Sequence, residues 1–255
     1  MKAMILAAGL GTRLRPLTDS RPKALVEMNG RTLLEITLAR LRSCGVTEAI
    51  INVHHFAGMV ADYLKAHDNF GMRIEISRED DLLLDTGGGL KKASRFFLED
   101  ASQSLPEPFL LHNVDVISNI DLRRMIEFHN ENRALATLAV QSRESSRQLL
   151  FNNDLQLCGR RIDNQEVASD EWRVATLKKE EIHALAFSGI HVISPRLLPM
   201  ITEAGVFSII GTYVRLAAQG EKILAFRADE YYWRDLGRPA DLAQAALDLE
   251  QKNLF

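Results

Sequence analysis

Cysteine is scarce in this chain. Cys44 and Cys158 are its only two among 255 residues, and they stand too far apart for a metal or redox spacing. They read as reduced structural thiols, which excludes a disulfide scaffold and fits an expected cytoplasmic location. No apolar run approaches membrane-spanning length, so no membrane partner is expected. The formal net charge is −3 and no dense Lys/Arg run occurs, which argues against a nucleic-acid partner. Met1 leads straight into an apolar strand, and no signal peptide is expected. Repeats, low-complexity tracts and linkers are also absent. A single domain over 1–255 is therefore expected.

What the chain does have is an ordinary globular balance, 46% hydrophobic and 25% charged, and a glycine loop at its start. Met4-Ile5-Leu6-Ala7-Ala8 is an apolar run bounded by Gly9 and Gly11, which reads as a buried strand ending in a backbone loop. Without Cβ atoms, Gly9 and Gly11 let successive N–H groups turn toward one anion. Arg13 and Lys23 add two positive charges to the same rim. The loop should hold a polyphosphate. It is not a P-loop, because the G-x-x-x-x-G-K-[ST] spacing is missing. A dinucleotide fingerprint needs a third glycine where Leu14 stands, and Pro16 and Pro22 keep the following chain irregular. Glu35 is the acid a dinucleotide reading would enlist, yet it falls within a helix rather than at a strand end.

Strands and helices alternate through the first half. The pattern gives a helix from Leu33 to Leu41 capped by Thr32, a strand Glu48 to Val53, a helix Ala57 to His67, a strand Arg73 to Ser77 and a strand Phe109 to Val114. Such alternation predicts a Rossmann-like α/β/α fold with a mostly parallel mixed sheet, its ligands at the carboxyl ends of the strands. The second half is less regular. A strand is expected from Ala134 to Val140, then a polar, hairpin-like stretch to about Thr176. Further strands are expected at Ala184 to Ile193, Glu221 to Phe226 and Tyr231 to Arg234. Helices are expected from Phe207 to Gln219, ending at Gly220, and onward from Pro239. The middle segment is expected to form a small lobe over the sheet.

The stretch Gly9, Gly11, Thr12, Arg13, Leu14, Pro16, Thr18, Pro22, Lys23 resembles the sugar nucleotidyltransferase (sugar-1-phosphate pyrophosphorylase) family. Leu83-Leu84-Asp85-Thr86-Gly87-Gly88-Gly89 and Phe187-Ser188-Gly189-Ile190 look most like its short single-domain N-acetylmuramate-1-phosphate uridylyltransferase members, with mannose-1-phosphate guanylyltransferases close by. The resemblance implies transfer of a nucleotidyl group from an NTP, UTP first, to a sugar 1-phosphate, with release of pyrophosphate. It assigns Arg13 and Lys23 to catalysis. Ala7, Ala8, Gly9, Gly11, Thr12, Arg13, Lys23, Thr86, Gly87 and Gly88 are assigned to the nucleotide, and Asn113 and Gly189 to the sugar.

Asp115, in His112-Asn113-Val114-Asp115, and Asp235, in Trp233-Arg234-Asp235, match the family's two ligands for Mg²⁺. Alone, either acid reads as a strand-end cap or turn residue, and the triple glycine as a helix N-terminus. Residues 1–133 would bind the nucleotide, and 134–255 would supply the sugar site and the second acid. Three departures stand out. Val114 replaces the usual glycine, and a glycine expected before Phe151 is missing. The Glu-Lys-Pro motif that holds the sugar phosphate in longer relatives is not visible between Asp154 and Lys179. His54 resembles a family position but also reads as a structural histidine. A catalytically silent nucleotide-sugar-binding homologue and an NAD-dependent oxidoreductase remain as other classes.

Overall fold

The computed structural model describes residues 1–99, 107–162, 165–167 and 182–252. The chain opens with β1 (Lys2–Leu6), a small hairpin of β2 (Glu27–Met28) and β3 (Arg31–Thr32), and α1 (Leu33–Ser43). It continues through β4 (Glu48–Val53), α2 (Ala57–Ala66), β5 (Arg73–Arg78), α3 (Asp85–Leu98), β6 (Phe109–Asn113), β7 (Val116–Ser118) and α4 (Leu122–Asn132). Then follow β8 (Ala136–Gln141), β9 (Arg147–Phe151), β10 (Leu157–Ile162), β11 (Gln165–Val167) and β12 (His183–Ile193). The chain ends with α5 (Ile209–Ala218), β13 (Ile223–Arg227), β14 (Trp233–Asp235) and α6 (Pro239–Lys252).

The expected mixed sheet is present. Its parallel part runs β6-β1-β4-β5, and β8 pairs β13 in parallel. The long β12 joins the halves, pairing antiparallel with β6, β8 and β9. Successive residues of a strand face opposite sides, and the core divides accordingly. Ala3, Ile5 and Leu110 pack with α1, α2 and α4 on one face. Met4, Phe109 and Leu111 pack with α3 and α5 on the other. Burial on both faces is what the unbroken apolar runs of β1 and β6 require. Thr32 caps α1 as expected, its side chain accepting the Glu35 N–H at 3.1 Å. Among the described residues no helix is long and apolar enough to cross a membrane.

Two elements differ from the sequence reading. The helix that the triple glycine would open begins ahead of it; Gly87, Gly88 and Gly89 lie inside α3, whose first residue Asp85 has φ +60°. Conversely, α5 starts at Ile209 rather than Phe207, behind the capping Ser208. Phe207 is freed to turn its carbonyl toward α3, where it accepts the N–H groups of Gly87 (2.9 Å) and Gly88 (3.3 Å). The polar stretch after Val167 up to Thr176 lies outside the described residues, as does most of the interval searched for the Glu-Lys-Pro motif.

Candidate active site

The loop after β1 lines a cleft of about 480 Å³ at the carboxyl ends of the parallel strands. Ala7, Ala8, Gly9, Gly11, Thr12 and Arg13 all reach it, and Lys23 and Asp115 lie on its wall. The loop is fixed from below. Ala7 donates its N–H to Asn52 Oδ1 (2.8 Å), and Asn52 Nδ2 donates to Glu79 Oε1 (2.8 Å). Glu79 in turn accepts the Leu84 N–H at 2.8 Å, so one buried carboxylate ties the glycine loop to the start of α3. Gly11 is needed where it stands. Its φ is +64°, and a Cβ would sit 2.9 Å from Thr18 Cγ2.

Lys23 follows Pro22 in a short 3-10 turn, only 8% exposed, and pairs with the Asp115 carboxylate. Asp115 lies in the tight connection between β6 and β7. Its neighbour Val114 is buried and donates its N–H to the Leu6 carbonyl (3.1 Å), so valine sits in the core and leaves the acid in place. Asp235 arrives on β14, which pairs antiparallel with β7 and sets Asp235 opposite Val116. The Leu236 N–H donates to the Asp115 carbonyl at 2.8 Å. Asn119 and Tyr232 bond reciprocally at the other end of this ladder. The two acids are thus neighbours, not on opposite sides of the sheet.

Arg13 completes the cluster. Gly237 donates its N–H to Asp235 Oδ1 (2.8 Å), and a Cβ on Gly237 would stand 2.8 Å from Arg13 Nη2. Glycine there lets the guanidinium and the carboxylate share one corner. Burial and the Asp115 charge push the Asp235 carboxyl above the usual carboxylate range, against the opposing pull of Lys23 and Arg13. Two crowded carboxylates beside a cationic glycine loop suit a hard divalent cation that draws its other donor atoms from a ligand and water. Among the described residues no third His, Cys, Asp or Glu joins them.

The other predicted residues divide. Thr86 and Asn113 line the cleft. Gly87 and Gly88 do not: a Cβ on Gly87 would strike the Phe207 ring, and one on Gly88 would stand 2.6 Å from the Gly205 carbonyl oxygen. Their bareness lets the 205–207 loop close on α3, and their N–H groups are spent on Phe207 rather than open to a base. Gly189, expected to leave room for a hexose, has φ +74° at a register shift in β12, and a Cβ would lie 2.8 Å from Asn113 Nδ2. The space it leaves is filled by Asn113. Gly189→Ala is therefore expected to destabilise the fold by about 1–2 kcal/mol from backbone conformation alone, with the contact adding to it; urea unfolding measures this. An unchanged unfolding free energy would contradict the geometry.

His54 holds the Glu79 carbonyl through Nδ1. Glu35, the acid of the dinucleotide reading, binds Arg31 and Tyr63 instead. Sequence reasoning passed over the Asn52–Glu79 link and Val206, a half-exposed apolar side chain on the cleft rim. The strand-end position of Asn52 was a signal for the first; the second had none.

The chain is similar to known proteins. A sequence model described as "Nucleotidyl transferase" matches residues 2–149. The chain is 34% identical over 247 residues to the N-acetylmuramate alpha-1-phosphate uridylyltransferase of Caulobacter vibrioides, covering 96% of this chain and 95% of that one. It is 31% identical to Mannose-1-phosphate guanyltransferase 2 of Candida glabrata, with 98% of this chain spanning 65% of that longer protein. Among solved structures, a putative glucose-1-phosphate thymidylyltransferase from Bacillus anthracis superposes with a TM-score of 0.77 at 18% identity, covering 97% of this chain and 94% of that one. That likeness speaks for the fold. With the family model spanning more than half its length and a relative matching it almost end to end, the chain belongs to the nucleotidyl transferase family of enzymes.

Proposed function

We propose that this protein transfers a nucleotidyl group from an NTP, UTP by preference, to a sugar 1-phosphate, N-acetylmuramate 1-phosphate or a related hexose 1-phosphate. The observation that carries this reading is the meeting of Lys23, Arg13, Asp115 and Asp235 at one end of the cleft. A single nucleotidyltransferase domain is proposed, with residues 1–133 serving the nucleotide and 134–255 the sugar and the second acid.

A sugar 1-phosphate is already an anionic nucleophile, so no Ser, Cys or His base is required. One of its phosphate oxygens bonds to the α-phosphorus, the α–β bridging bond breaks, and pyrophosphate carries away the electron pair. The reactants repel each other, so rate depends on positioning and neutralisation. Lys23 lies on the cleft wall where it can stabilise charge on the α-phosphate. Arg13 and the amides of Gly9 to Thr12 hold the departing pyrophosphate. Asp115 and Asp235 would hold a divalent cation, Mg²⁺ in this reading, and that ion would supply neutralisation of phosphate charge. Thr86 and Asn113 border the remaining cleft, toward nucleoside and sugar.

Four NTPs crossed with glucose, mannose and N-acetylmuramate 1-phosphates, followed by pyrophosphate release, test this. Highest kcat/KM is expected for UTP with N-acetylmuramate 1-phosphate. The 31% identity to a guanyltransferase makes GTP with mannose 1-phosphate the informative competitor. Turnover with GTP alone would replace the uridylyl preference, and nucleotide binding without any turnover would point to a silent homologue.

A further inference from the structure

Arg143, between β8 and β9, is a half-buried cation with no ion-pair partner among the described residues. Its Nη2 donates to the Phe187 carbonyl at 2.7 Å, and its guanidinium carbon lies 3.7 Å from the centre of the Trp233 ring. Trp233 is itself held, its Nε1 donating to the Ser188 carbonyl at 2.7 Å. Arg143 Nε is buried with no acceptor, and Nη1 has no partner among the described residues. No carboxylate there forms an ion pair with it.

Withdrawing a guanidinium from water is costly unless its charge and donors are met, and one carbonyl with one aromatic face meets them only in part. The position explains the expense. Trp233 and Asp235 are two residues apart on β14 and so share a face, which puts the Arg143 plane on the same side as the second acid. Phe187 and Ser188, which hold Arg143 and Trp233, lead directly into Gly189, against which Asn113 packs at the cleft. Burial lowers the Arg143 pKa and the Asp235 charge pulls it back up, so the two groups sense each other.

We propose that Arg143 anchors an anionic oxygen group of the sugar substrate, either its 1-phosphate or a carboxylate on the sugar, beside Asp235. This rests on the nucleotidyl-transfer reading and names the residue that takes the acceptor's charge. A planar guanidinium already clamped by one carbonyl and one ring presents its remaining donors in a fixed fork, which suits a carboxylate or phosphate edge.

The test uses Arg143→Gln and Arg143→Lys in the full chain, with pyrophosphate release measured at saturating UTP and varied sugar phosphate. Arg143→Gln is expected to raise the KM for sugar phosphate by about ten-fold or more, the scale of one lost charge-assisted hydrogen bond. The KM for UTP should stay within about two-fold, and Arg143→Lys should recover part of the loss. A rise with both glucose 1-phosphate and N-acetylmuramate 1-phosphate assigns the anchor to the phosphate. A rise with the carboxylate-bearing sugar alone assigns it to that carboxylate. An unchanged sugar KM, or equal rises for sugar and UTP, overturns the proposal. Should Arg143→Gln fail to fold, as its thermal midpoint would reveal, the lysine variant carries the same comparison.

Calorimetric titration of both sugar phosphates, with a non-hydrolysable UTP analogue present, separates this proposal from the transfer reading. Arg143-dependent binding without turnover keeps the anchor and removes the activity. Turnover indifferent to Arg143 does the reverse, and neither binding nor turnover in the unaltered protein removes both.

Discussion

Lys23→Ala is expected to lower turnover by about two to three orders of magnitude, the loss typical of removing one preorganised charge donor from a water-poor site. The side chain is only 8% exposed and is aimed by a proline-led 3-10 turn, so its ammonium needs little reorganisation when phosphate charge develops. It also neutralises Asp115, and the variant leaves that carboxylate without its cation. Both effects act on the same reacting centre. Saturation kinetics of pyrophosphate release check the expectation: kcat falls steeply while the UTP KM changes less. Near-wild-type release would remove Lys23 from the chemistry and leave it as a structural partner of Asp115.

Asp235→Asn is expected to act in opposite directions on activity and on stability. In the proposed function Asp235 would hold the cation, and its loss would forfeit several kcal/mol of charge stabilisation, which corresponds to about three orders of magnitude in rate. Stability follows from the raised carboxyl pKa. A group that titrates higher in the folded state than in the unfolded one stabilises below its unfolded pKa, and that contribution is lost as pH rises through the folded value. At neutral pH the ionised Asp235 therefore opposes folding of the ligand-free protein. Asparagine removes that opposition while keeping an oxygen for the Gly237 N–H. The thermal midpoint of the ligand-free variant at pH 7 should hold or rise, and the upward shift given to the parent by Mg²⁺ with UTP should disappear. A variant that keeps both turnover and that Mg²⁺-dependent shift would take Asp235 out of the metal site.

Much of this architecture is legible from local pattern. The runs of β1, β4 and β6 announce strands buried on both faces, and Thr32 ahead of a helical apolar stripe marks the start of α1. The glycine loop and the two cations that line the cleft with it declare themselves because glycine spacing and charge are local properties. What escaped depends on distant chain. Three consecutive glycines argue against helix by propensity, yet α3 runs through them because Phe207, Gly205 and the Asn52–Glu79 pair approach where side chains would stand. Tertiary packing outweighs propensity there. The same limit hid the packing at Gly189, whose missing side chain makes room for Asn113. Arg143 too escaped notice, since its ring partner lies far along the chain and only the folded backbone brings them together.

The three-residue pairing of β7 with β14 has one more consequence. Main-chain bonds, not side chains, decide where the second acid stands, so substitutions at Ile117 or Arg234 that preserve the ladder should leave Asp235 beside Asp115. A slip of one position along that ladder would instead turn Asp235 to the reverse side of its strand. Errors at this seam admit no graded middle: the centre is either assembled or broken.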